Sequence, residues 1–114
     1  MNQSFRVIAS QRVQVPANTK QYTTIYTVSP GKRLKLRRVE VFFPVGTYDE
    51  LRVKILYGWT SVAPTDGFFT GDETTVAADV DIEYGSMQQV RAYLENLNLA
   101  NQRECVITLI GEEI

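Results

Sequence analysis

The chain has 114 residues, 44% hydrophobic and 22% charged, enough to bury a core without metal or disulfide support. Its net charge is −1, and its longest apolar run falls far short of the ~20 residues that a bilayer-crossing helix needs. It contains no histidine, which excludes Ser-His-Asp and Cys-His sites and the usual zinc centres.

The near-neutral total hides a division. Residues 1–48 carry a net charge of +7, with one acid, Glu40, while residues 49–114 carry −8. Such a split marks either a surface for a charged partner or two halves that pair, within the chain or between subunits. At this length, and without a repeat, low-complexity segment or linker, a single domain over 1–114 is expected. The opening "MNQSFRVIASQRVQV" lacks the basic-then-apolar profile of a signal peptide, and cytoplasmic synthesis is expected.

Taken in chain order, the dominant period is two, the mark of half-buried strands. "FRVIASQRVQV" sets Phe5, Val7, Ala9, Val13 and Val15 against Arg6, Ser10, Arg12 and Gln14. "PANTK" turns into "QYTTIYTV", rich in strand-forming Thr and Tyr. "SPG" then leads into "KRLKLRRVEVFF", which Pro44 and Gly46 close. "LRVKILY" places Leu51, Val53, Ile55 and Tyr57 opposite Arg52 and Lys54. After Gly58, "WTSVAPTDGFFTGDET" reads as a long loop with a short strand near Val62. "TVAADVDIEY" alternates Val80, Ile82 and Tyr84 with Asp79, Asp81 and Glu83. "QQVRAYLEN" alternates Val90, Ala92 and Leu94 with Gln89, Arg91 and Glu95. In "SMQQVRAYLENL", however, Met87, Val90, Leu94 and Leu97 also fit a helical period of 3.6. "ECVITLIG" is apolar on both faces, as in a central strand, and its lone cysteine, Cys105, reads as a small core residue. About eight short antiparallel strands predict an all-β, two-sheet sandwich: a jelly roll first, an immunoglobulin-like Greek key second.

The segment from Lys32 to Arg38 concentrates basic charge in Lys32, Arg33, Lys35, Arg37 and Arg38. Its parity flips midway. Arg33, Lys35 and Arg37 share one face, but Val39, Val41 and Phe43 continue that same face. Either a bulge inserts a residue near Arg37 and Arg38, or the strand passes from a half-exposed sheet into the core. A nucleic-acid reading would use this strip with Tyr22 and Tyr26 stacking from a neighbouring strand, but the net negative charge argues against it. The preferred reading is a charged face or subunit contact. Asp79, Asp81 and Glu83 form an acidic strip of the same period that can face Arg33, Lys35 and Arg37. Cross-strand pairs of this kind contribute about 0.2–1 kcal/mol each.

No phosphate-binding or dinucleotide fingerprint occurs, and no cofactor is expected. Paired carboxylates are the one catalytic option left, and nothing in the pattern forms a cleft around them, so the chain is read as a non-enzyme. No metal site is expected either. The loop residues Asp66, Asp72 and Glu73 could offer oxygens to calcium, but their spacing does not match an EF-hand. Trp59, Phe68 and Phe69 could form a ligand-stacking platform for sugar or a hot spot for a protein, or "FF" could pin the loop onto the sandwich.

The whole-chain strand pattern resembles the small single-jelly-roll structural and attachment proteins of viruses and phages. Its clearest pieces are "KLRRVEVFFPVG", "LRVKILYGW", "VAPTDGFFTGD" and "CVITLIGEE". The resemblance implies a non-enzymatic homo-oligomer, a component of a virion or tail. The function expected is therefore a structural or interaction sandwich that self-assembles or binds a protein, without membrane insertion. An adhesin-like carbohydrate-binding module is the alternative, and nucleic-acid binding through the basic strand a lesser one. An assembly joined through the two charged strips would weaken as salt rises.

Overall fold

The computed structural model describes residues 5–114; the first four residues of the expected domain, and of the segment read for signal character, lie outside it. Eight strands follow one another: β1 (Arg6–Val15), β2 (Lys20–Thr27), β3 (Leu34–Phe43), β4 (Leu51–Tyr57), β5 (Thr60–Ala63), β6 (Thr74–Tyr84), β7 (Gln89–Asn96) and β8 (Arg103–Glu113). They form two four-stranded antiparallel sheets, ordered β1-β8-β3-β6 and β2-β7-β4-β5. This is the jelly roll, a long hairpin rolled up so that β1 meets β8, β2 meets β7, β3 meets β6 and β4 meets β5. The order is not that of an immunoglobulin sandwich. There is no helix among the described residues, and so none long and apolar enough to cross a membrane.

The period-two pattern produces the core directly. One sheet supplies Val13, Val15, Leu34, Leu36, Val39, Val41, Phe43, Ile107 and Leu109, and the other Ile25, Leu51, Val53, Ile55, Val90 and Leu94. Each is buried, and close-packed apolar side chains between the sheets are the main stabilising term. Of the residues that also fit a helix, Val90 and Leu94 lie in β7, where they and Ala92 are buried alternately, while Met87 and Leu97 lie just outside the strand and are exposed. Strand pairing on both sides, with β2 and β4, decides for the extended form.

Three departures from simple alternation matter. In β3 the register shifts between Leu36 and Arg38 against both neighbours, the bulge that the parity flip calls for. In β1 a shift between Val7 and Ala9 corrects the sequence expectation. Ile8 packs on the core, whereas Phe5 and Val7, read as core-facing with Val13 and Val15, are exposed. Finally, Phe69 makes two backbone hydrogen bonds with Val53 (2.8 and 3.0 Å), extending the second sheet beyond β5.

Candidate functional site

The basic and acidic strips meet within the chain. β3 and β6 are adjacent, and Arg33 pairs with Glu83 (3.5 Å), Arg38 with Asp79 (2.8 Å) and Arg37 with Asp81. Arg38 also bonds Glu40 at 3.0 Å, and these two hydrogen bonds, Glu40 first, hold its guanidinium still more firmly charged. Lys35 lies in register with Glu83 and Glu112, and Lys32 is exposed in the preceding turn. The bulge turns both Arg37 and Arg38 outward, and Arg37 also lies 5.3 Å from the Phe5 ring centre. Tyr22 and Tyr26 belong to β2 in the other sheet, so they do not flank this strip as the nucleic-acid reading required.

The outer face of the second sheet carries a different surface. Across β2-β7-β4 the register sets Lys20, Glu95 and Arg52 in one row, Tyr22, Tyr93 and Lys54 in the next, and Thr24, Arg91 and Leu56 in a third. Trp59 leans over this face from the tip of a two-residue hairpin turn, where Gly58 takes a left-handed conformation. Phe68 covers it from the β5–β6 loop. Between them lies a groove of about 310 Å³, walled by Tyr22, Trp59, Phe68 and Tyr93 and floored by Leu56. Tyr22 meets Trp59 edge-on at 5.4 Å between ring centres and Tyr93 at 5.0 Å. Arg52 lies 4.0 Å from the Phe68 centroid, and Arg91 lies 4.5 Å from that of Trp59. The Tyr93 hydroxyl donates to Glu95 at 3.1 Å, and burial first, then that bond, raises its pKa.

The aromatic expectations need correction at one position. Trp59 and Phe68 reach the groove, but Phe69 does not, because its strand-like pairing with Val53 turns it into the core. Adjacent residues of an extended segment point to opposite faces, so "FF" divides between core and surface. Tyr22, Lys54, Leu56, Tyr93 and Glu95 complete the groove, with Arg91 against the Trp59 ring beside it, and none of them belongs to the site expected from the sequence. Their outward parity was visible, but their adjacency depends on the order β2-β7-β4.

At one end of the sandwich the β1–β2, β3–β4, β5–β6 and β7–β8 loops are joined to one another. One Asp72 carboxylate oxygen accepts the backbone N–H groups of Gly46 (2.8 Å), Thr47 (2.9 Å) and Tyr48 (3.2 Å). That carboxylate oxygen is a backbone anchor between two loops. Asp66, Asp72 and Glu73 do not converge, and the described residues hold no cluster of three or more groups suited to a metal. Buried Asn96 donates to the carbonyls of Val15, Pro16 and Asn101, and Leu97 N–H donates to Glu50 O at 2.8 Å. Hydrogen bonds from Asn98, then from Arg103, hold the Glu50 carboxyl below its ordinary pKa. Tyr48 and Asp49 both adopt left-handed φ values, 52° and 58°. This network displays Val45, Tyr48 and Leu99 at 73%, 68% and 79% exposure. Cys105 lies apart from all three surfaces, in the core; burial, then Glu104, pushes its thiol up to about 12.

No family model matches the chain, and no curated protein matches it. Among solved structures it is similar to FLHE, with a TM-score of 0.52 and 11% identity over 98% of this chain and 99% of that one. It is similar also to a chain of the cyanophage Pam1 capsid asymmetric unit, with a TM-score of 0.52 and 12% identity over 96% and 85%. A chain of the Helicobacter pylori bacteriophage KHP30 capsid overlaps at a TM-score of 0.45 and 11% identity. The structural neighbours of this jelly roll thus include FLHE and a cyanophage capsid chain; at such identities the likeness is one of fold.

Proposed function

We propose that this chain is a non-enzymatic structural sandwich that associates with copies of itself through the end formed by the four joined loops, as a building block of the virion or tail kind. The observation that carries the reading is the display of Val45, Tyr48, Leu97 and Leu99 on loops already fixed by Asp72, Asn96 and Glu50. Large apolar side chains held in place before contact lose little entropy on burial, which is what makes exposed patches into interfaces. A second copy suits this surface because a net charge of −1 sets up little repulsion between identical chains. The similarity to a cyanophage capsid chain agrees with a fold used in assemblies.

This reading moves the self-contact away from the charged strips, whose arginines already face carboxylates of their own chain. The same pairing leaves Arg33, Arg37 and Arg38 less available to a polyanion, which supports a protein partner over nucleic acid. The test is light scattering on the wild type and on the triple variant Val45→Ser, Tyr48→Asn, Leu99→Ser. The wild type associates as concentration rises, and the variant, with an unchanged melting curve, needs at least about tenfold higher concentration. A wild type that stays monomeric, or a variant that associates equally well, overturns the proposal.

A further inference from the structure

The groove on the outer face of the second sheet is built from features that self-association at the loop end leaves unused. Its walls are aromatic, and Lys54 and Glu95 are the charged groups that line it, while Lys20, Arg52 and Arg91 on the same sheet face make the surrounding charge one-sided. Lys20 (3.6 Å) and Arg52 (3.5 Å) both face Glu95 and neutralise it. Lys54 and Arg91 make no ion pair among the described residues. The Lys54 ammonium lies 4.8 Å from the Phe68 centroid and 5.6 Å from that of Tyr93, at the groove's edge. Arg91 donates to Gly58 O at 2.9 Å, which fixes its guanidinium against Trp59.

These features select a ligand by chemistry. A cationic ligand is disfavoured, because Lys20, Arg52, Lys54 and Arg91 outnumber the one acid on this face and repel it. A stack of nucleobases needs flat, sequentially exposed rings. Here the planes meet at 89°, 47° and 41°, closing a small concave space with no parallel slot. A puckered sugar ring presents C–H groups to inclined aromatic faces and hydroxyls to polar groups at the rim. Glu95, neutralised but retaining free lone pairs, accepts such hydroxyls, and Lys54 and Arg91 remain to meet an anionic substituent. The volume is at the small end of ligand pockets, fitting a ring or two.

We propose that this groove binds an acidic saccharide, with its ring against Trp59 and Tyr22 and its carboxylate or sulfate at Lys54 and Arg91. Trp59 is the chain's one tryptophan, so its emission reports on this groove alone. The experiment titrates the full chain with matched neutral, uronic-acid and sulfated oligosaccharides and with oligothymidylate, followed by Trp59 fluorescence and calorimetry. Either or both acidic arms shift the Trp59 emission, and the neutral counterpart binds at least about tenfold more weakly. Lys54→Gln weakens acidic binding by about tenfold, and Trp59→Ala abolishes it by calorimetry. Both side chains face outward, so both variants melt like the wild type. No binding by either acidic arm, binding indifferent to both substitutions, or tighter binding of oligothymidylate overturns the assignment.

Discussion

Glu113 joins the two sheets through one carboxylate, which accepts the Tyr26 hydroxyl at 2.6 Å and the Ser29 N–H at 2.9 Å. These bonds, the tyrosine first, hold its pKa below the ordinary 4.5, and the same contact raises that of Tyr26. A carboxyl depressed in the folded state stabilises the fold above its unfolded pKa and loses that contribution as pH falls through the folded value. Glu113→Gln is therefore expected to lower the melting temperature at pH 7, and the difference from wild type narrows as pH falls below 4.5. Thermal melts between pH 7 and 3 check this; a constant difference contradicts it. No sequence pattern marks Glu113, since its partners come from β2 and the turn after it. Asp72 is similar: "TGDET" shows a turn, but three backbone donors from another loop become visible only in the fold.

At the scale of the strand, β3 was the most legible element, because its hydrophobic parity changes within "LKLRRVEVFF" and a bulge preserves burial on both sides. The sequence left open whether the strand bulged or passed between environments; the neighbours' register decides. What the pattern concealed is the partner feature in β8. Gly111 lies opposite Leu36, and a Cβ placed there would run into the Lys35 carbonyl oxygen. Backbone cannot retreat as a flexible side chain can, so Gly111→Ala is expected to cost about 1–3 kcal/mol, the scale of other overpacked sites. Chemical denaturation measures it, and an unchanged midpoint counts against this account of the bulge. The opposite holds in β1, where Phe5 and Val7 share the apolar parity of Val13 and Val15 yet are exposed, because the register shifts between Val7 and Ala9.

At the scale of the whole molecule, the rolled hairpin explains the charge division. β1, β2 and β3 carry the basic half, and their partners β8, β7 and β6 carry much of the acidic half. Arg12 pairs with Glu104, Lys20 with Glu95, and Arg33, Arg37 and Arg38 with the carboxylates of β6. Cross-strand pairs on exposed faces are individually weak, but opposite charges favour this strand order over arrangements that set like charges side by side. The all-β sandwich was legible in the alternation and turns. The groove was legible only as separate outward residues, because no local pattern states which strands become neighbours.

With these charges satisfied inside each chain, association between copies rests on apolar contact at the joined loops. Salt screens exposed charges and does not weaken apolar burial. The most direct measurement is light scattering at fixed protein concentration across a salt titration. Association that holds or strengthens as salt rises is the result expected; dissociation to monomer with rising salt would place the charged strips between subunits and contradict the account.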